Sequence, residues 1–181
     1  RLILYDVATR RVAWTRRLGD SGAAVDAVAI SPDGRFVAAG IREKSSHIAI
    51  MAAGTGDVLS QLDVPSGYCV SLQFSADGER LCSAGSDQSV RLWSVPSGRI
   101  ERILRGHRLE VWRLAWLPDH RTLVSGAKDG GVCLWDTEDS SSQPEHVRLP
   151  EKVWYTWRFT PDSQALYTAD AGGRVKRWSG P

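Results

Sequence analysis

Apolar and polar residues alternate along the chain in short runs, and the runs return at a regular interval. Val28 and Ile30, Leu72 and Phe74, Leu114 and Trp116, and Trp157 and Phe159 each stand two positions apart. Period two is the pattern of a strand with one face toward a core. Each pair runs into a turn signal: Ser31-Pro32-Asp33-Gly34, Ser75-Ala76-Asp77-Gly78, Leu117-Pro118-Asp119-His120 or Thr160-Pro161-Asp162-Ser163. Proline presets φ and glycine accepts positive φ, so such turns suit tight strand connections. A second apolar run follows each turn, at 36–39, 81–84, 123–125 and 166–169. Third strands are predicted at 2–5, 47–51, 89–93, 131–135 and 174–178, and weaker fourth strands at 11–18, 57–62, 99–104 and 145–149. No segment of helical period competes.

The four turn aspartates, Asp33, Asp77, Asp119 and Asp162, are spaced by 44, 42 and 43 residues. From each to the residue closing its third strand (Met51, Trp93, Trp135, Trp178) is 18, 16, 16 and 16 residues. Tyr5-Asp6, with Tyr5 28 residues before Asp33, closes a preceding unit. Five landmarks in phase define a true repeat, and a period near forty residues points to a propeller or solenoid.

One unit is complete. It opens on Gly106-His107, passes through Ser125-Gly126 and Asp129, and closes on Leu134-Trp135-Asp136. Gly-His at the start and Trp-Asp at the end resemble a full unit of the WD-repeat (WD40) family. The resemblance covers essentially the whole chain, strongly in this unit, well in the one before and the last, and weakly in the first. It implies an all-β fold, a β-propeller of four-stranded antiparallel blades, with residues 1–181 as one propeller segment. The strand order gives half a blade, three whole blades and a final three-stranded one. Propellers carry about four to eight blades and protect their sheet edges by closure. About four repeats therefore read as part of a larger propeller or of a longer multidomain chain, and a self-contained four-bladed ring is the weaker reading.

Composition narrows the function classes. At 181 residues the chain can bury a core, and 42% hydrophobic with 24% charged residues is ordinary for a globular domain. A net charge of +2, with arginines spread along the chain, gives no general pull toward nucleic acid or membrane. No run approaches the roughly 18 apolar residues of a spanning helix, and no signal peptide is legible, although the sequence opens on Arg1. Cys69, Cys82 and Cys133 are odd in number, lack CxxC spacing and lie in apolar runs. They read as reduced, buried small hydrophobes and favour an intracellular, cytoplasmic setting.

His107, Ser125 and Asp129 invite comparison with a hydrolase triad. No G-x-S-x-G elbow surrounds Ser125, however. The resemblance implies a structural role instead, a tetrad in which Trp135 bonds Ser125, Ser125 bonds His107 and His107 bonds Asp129. The other units depart from it. The preceding one keeps Ser83, Asp87 and Trp93 but has Pro65 where His107 aligns. The last keeps Thr168 and Trp178 with Pro150 and Gly172 in the remaining places, and the first has Ala38 and Met51. Only one blade should hold the full network, and the Met51 unit should rest on apolar packing.

His47, His120 and His146 lack partners at metal-ligand spacing and read as loop or surface residues; no metal or cofactor is expected. Gly130-Gly131 and Gly172-Gly173 fall at strand turns and lead into no Walker-type sequence, so nucleotide binding has no support. Trp93, Trp116, Trp135, Trp157 and Trp178 are expected in the core. Trp112 differs: it aligns with Asp26, Val70 and Tyr155 at the entry to the first strand. By the resemblance, that region borders the face that most often binds partners. Trp, Tyr and Arg dominate binding hot spots, which makes Arg42, Arg108, Trp112, Lys128 and Tyr155 the candidate contact residues. The alternative is that Trp112 and Tyr155 fill space beside the channel.

These features predict a non-catalytic scaffold presenting a rigid propeller face and loops to other proteins or peptides. The competing reading is a regulatory or substrate-docking propeller of a multidomain enzyme whose catalytic domain lies elsewhere. Nucleic-acid binding through the scattered arginines is the weakest of the three.

Overall fold

A computed structural model describes residues 1–148, 156–160, 165–169 and 173–179. Every regular element among them is a β-strand. β1 (Leu2–Asp6) and β2 (Arg11–Arg16) form a two-stranded sheet. Three four-stranded sheets follow. The first blade is β3 (Ala24–Ile30), β4 (Phe36–Arg42), β5 (His47–Ala52) and β6 (Val58–Asp63). The second is β7 (Cys69–Phe74), β8 (Arg80–Gly85), β9 (Ser89–Ser94) and β10 (Ile100–Arg105). The third is β11 (Val111–Trp116), β12 (Thr122–Ala127), β13 (Gly131–Asp136) and β14 (Glu145–Arg148). A last sheet holds β15 (Thr156–Phe159), β16 (Ala165–Ala169) and β17 (Val175–Ser179). Within each sheet, strands pair antiparallel with their neighbours in sequence. The expected count of half a blade, three blades and a three-stranded sheet is what the chain forms.

The first strands β3, β7, β11 and β15 lie side by side, and the blades stack face to face. Ile48 and Ile50 of the first blade pack on Leu72, Phe74, Leu81 and Trp93 of the second. Cys82, Ala84, Val90 and Leu92 of the second pack in turn on Leu114, Leu123 and Trp135 of the third. Alternation thus gives each blade two apolar faces, one for each neighbour. Met51 is fully buried, in a cluster with Trp14, Val37, Ala39 and Ile41, as expected of the apolar unit.

The turns between first and second strands follow one design. Ser31 Oγ donates to Asp33 Oδ1 (2.6 Å) and accepts from Phe36 N–H (2.9 Å). Ser75 repeats this with Asp77 (2.6 Å) and Arg80 N–H (3.0 Å). Gly34 and Gly78 take positive φ there, and in the third blade His120 adopts it in their place at φ 55°.

Two expectations need correction. Val28 and Ile30 alternate as a core-facing strand should, yet both are exposed, because the two-stranded sheet before them has no inner strands to cover them. Trp116 is only half-buried, although its indole nitrogen is buried without a hydrogen-bond partner. Trp93, Trp135 and Trp157 are core residues, and the side chain of Trp178 lies outside those described.

Candidate functional site

The third blade brings His107, Ser125 and Trp135 together around one oxygen. Trp135 Nε1–H donates to Ser125 Oγ at 2.7 Å, and His107 Nε2 lies 2.7 Å from the same oxygen. Ser125 is fully buried, so no water reaches this hydroxyl. Asp129 departs from the implied geometry. Its Oδ1 accepts Gly131 N–H at 2.8 Å, closing the turn between β12 and β13, and it makes no hydrogen bond to His107. The other imidazole nitrogen, Nδ1, faces Cys133 Sγ at 3.9 Å, and that thiol meets His146 Nδ1 at 3.3 Å. Burial depresses the pKa of His107 to about 4 despite the nearby Asp129 charge, with His146 adding to the depression. The imidazole is therefore neutral at pH 7. Burial likewise raises the Cys133 thiol to about 11, so the sulfur is protonated.

The second blade, lacking the histidine, solves the same problem with charge. Trp93 Nε1–H donates to Ser83 Oγ at 2.8 Å. Asp87 accepts from Ser89 and from Arg91 Nη2 (2.5 Å), in an ion pair that is nearly inaccessible. Burial opposes the Asp87 charge, but the Arg91 guanidinium and Ser89 outweigh it and hold the carboxyl below its usual range. Ser125→Ala should cost about 1–3 kcal/mol, because it leaves the buried Trp135 N–H without an acceptor. Chemical denaturation of the two proteins checks the value, and a change below roughly 0.5 kcal/mol would show the network to be idle.

The candidate contact residues lie at the opposite end of the strands from the Asp33-type turns. Here three first strands carry the same irregularity. Pairing skips one residue between Val25 and Ala27, between Cys69 and Ser71, and between Val111 and Arg113. The unpaired residues are Asp26, Val70 and Trp112. A bulge of this kind leaves one residue out of the ladder and re-aims its side chain. Around Trp112, the indole N–H donates to Glu110 Oε2 (3.0 Å), and Lys128 Nζ stands 5.5 Å from the ring centroid and 4.0 Å from the same carboxylate. Around Asp26, Arg42 binds the carboxylate through Nε (2.7 Å) and Nη2 (3.2 Å), with its guanidinium carbon 5.0 Å from the Tyr68 ring. Each bulge neighbourhood in the first and third blades thus pairs a cation with both a carboxylate and an aromatic face.

Arg108 is exposed on the loop before β11, and Tyr155 lies outside the described residues. The structure joins Trp112 to Lys128 and sets Arg42 in a separate cluster. Tyr68 and Glu110 were missed from sequence. Both lie two residues before a bulge residue, so the repeat alignment carried their signal. Among the described residues, no group of three His, Cys, Asp or Glu side chains is placed to hold a metal ion, and no helix is long and apolar enough to cross a membrane.

Stacked four-stranded antiparallel blades with an inner-strand bulge and a Trp–Ser–His core network define a β-propeller. The chain carries WD repeats: the family described as "WD domain, G-beta repeat" matches residues 56–94 and 98–136. Each matched unit starts near the outer strand of one blade and ends on the third strand of the next, so the sequence repeat straddles two blades. The chain is 28% identical to WD repeat-containing protein 1 of Gallus gallus over 166 residues, covering 90% of this chain and 27% of that protein. It is 34% identical to Jouberin of Rattus norvegicus over 111 residues, 60% of this chain and 11% of that protein. It is 31% identical to the Set1 complex component swd1 of Schizosaccharomyces pombe over 88 residues, 49% of this chain and 22% of that protein. The chain therefore spans about a quarter or less of these relatives. The crystal structure of the computationally designed Ika4 protein matches in fold with a TM-score of 0.71 at 24% identity, over 90% of this chain and 95% of that one. WD repeats are in general a non-catalytic scaffold fold for protein interaction.

Proposed function

We propose that this propeller segment is a non-catalytic scaffold that docks a protein or peptide on the rim carrying Arg42, Tyr68, Val70, Trp112 and Lys128. The in-phase bulges carry the reading. One backbone device recurs in three blades while its side chain changes from Asp26 to Val70 to Trp112. A constant frame with variable, half-exposed tips is how a rigid platform gains specificity without reordering its backbone. The ion pairs at the rim are solvent-exposed and worth at most about 1 kcal/mol each, so a partner can displace them at small cost. Nothing in the arrangement resembles an activated nucleophile: Ser125 is sealed in the core, and its histidine serves the tryptophan network.

A photo-crosslinking side chain at position 112, compared with one at Arg35 on the opposite turns, tests the reading. Crosslinked partners are expected from 112 and few from 35, and the reverse outcome would move the docking face to the other end of the blades. Trp112→Ala should weaken capture by about fivefold or more while leaving thermal unfolding nearly unchanged.

A further inference from the structure

At the end of the blades opposite the rim, the pairing register makes the junctions between successive blades comparable. Phe36 pairs with Ala52, Arg80 with Ser94 and Thr122 with Asp136, so Phe36, Arg80 and Thr122 hold one position in three blades. Val95 N–H donates to the Glu79 carbonyl (2.8 Å) and Thr137 N–H to the Arg121 carbonyl (3.1 Å). Val95 therefore corresponds to Thr137, and Pro96 to Glu138. Charge closes the junction between the second and third blades, where Arg80 Nη1 reaches across to Glu138 Oε1 at 2.5 Å. Between the first and second blades the corresponding residues are Phe36 and Pro96, which cannot form an ion pair. A cleft of about 350 Å³ stays open there. Phe36 and Val95, both packed on the core, give it an apolar wall with Pro96, and Glu79, Arg80 and Glu101 line the rest.

The charges around this cleft do not balance. Asp33 and Arg35 pair with each other, Arg80 is shared by Glu101 (3.3 Å) and Glu138, and Glu79 forms no ion pair among the described residues. Negative charge is left over. The Phe36 ring, meanwhile, already carries a guanidinium on its face, that of Arg35, 5.1 Å from the centroid. We propose that the cleft binds a small organic cation, a guanidinium on a short aliphatic stem, with its head against Phe36 and its charge toward Glu79 and Glu101. A guanidinium is planar and weakly hydrated, so it stacks on a ring more readily than an ammonium does. Arg35 is an internal competitor for the ring, but it is exposed and its surface pair with Asp33 holds it weakly. The volume lies at the lower end of small-molecule pockets, roughly 300–1,000 Å³. A protein partner would need a contact area of about 800 Å² on this side, far more than the cleft offers. The site is separate from the rim and stands whether or not the rim binds a partner.

The test titrates the 181-residue chain with agmatine, a guanidinium on an aliphatic amine, and follows the amide chemical shifts. Phe36, Glu79 and Glu101 should move saturably, while Asp26 and Trp112 at the rim stay in place. Putrescine, which has an amine where agmatine has the guanidinium, should bind at least about threefold more weakly, and the dianion glutarate should leave the cleft unmoved. Two exposed substitutions should act in opposite directions without changing thermal unfolding. Arg35→Gln removes the competitor and should tighten agmatine binding by about threefold or more, whereas Glu79→Gln should loosen it by a similar factor. Phe36→Leu keeps an apolar residue on the core and should erase the preference for agmatine over putrescine; the two exposed variants decide the matter should Phe36→Leu unfold the protein. Cleft amides unmoved at about 10 mM agmatine would overturn the proposal. So would shifts spread equally over Asp26 and the cleft, the mark of a cation collecting on any carboxylate, or weaker binding in Arg35→Gln, which would make the cleft an anion site.

Discussion

Gly85→Ala is expected to be the most damaging single substitution in the second blade, with a loss of at least about 4 kcal/mol. A Cβ at this position would stand 2.0 Å from the Tyr68 carbonyl oxygen and 3.0 Å from its carbon, and backbone cannot step aside as a side chain can. The same carbonyl accepts Ser86 N–H at 3.1 Å, and Ser86 Oγ accepts Tyr68 N–H at 2.9 Å. The loop before β7 is thus stitched to the end of β8, with glycine at the seam. Ile41 and Ala127, the aligned residues of the neighbouring blades, carry side chains without harm, so the requirement belongs to this loop and not to the repeat. Because Arg42 stacks on Tyr68, the substitution should also disturb the rim. Thermal melting and partner capture should fall together; a variant that melts within a few degrees of the parent would show that the loop can move aside.

Acid should weaken the fold through His107. Its pKa is about 4 in the folded chain, against an ordinary value of 6.5, because the imidazole is buried beside Ser125 and Cys133. The unfolded chain takes up a proton below pH 6.5, while the folded chain refuses it until about pH 4. Stability is therefore full above pH 6.5, falls as pH drops through that window, and levels off below about 4. At about 1.4 kcal/mol per pH unit, the His107 share is about 3 kcal/mol. The charged neighbours act in opposite directions, Asp129 favouring the proton and His146 opposing it. Urea unfolding at pH 7, 5.5 and 4 measures the slope. His107→Gln, which can still reach Ser125, should be less stable at pH 7 yet flatter between pH 6.5 and 4. An equally steep profile in that variant would assign the acid sensitivity to carboxylates elsewhere.

These effects separate what could be read along the chain from what required its folding. The repeat was legible because strand formation, tight turns and two-faced burial all leave marks within a few residues of one another. Met51, Trp93 and Trp135 close their third strands within one residue of the predicted ends. The serine and tryptophan partners were legible for the same reason: β8 with β9, and β12 with β13, are adjacent hairpin strands whose register the turn sets. Asp129 lies 22 residues from His107 but two from Gly131, and the turn between β12 and β13 brings its Oδ1 to the nearer Gly131 N–H in place of the imidazole.

Sequence by itself determined the strand period, the blade order and which residues could enter the core network, since those depend on local spacing and side-chain type. Tertiary structure alone decided which apolar faces are covered, so that Leu72 is buried and Val28 bare though their strands read alike. It also decided that Asp26, Val70 and Trp112 stand out of the ladder. The physical reason is that burial and pairing are properties of neighbours. A strand can specify two apolar faces, but only the blade stacked against each one determines whether it meets protein or water.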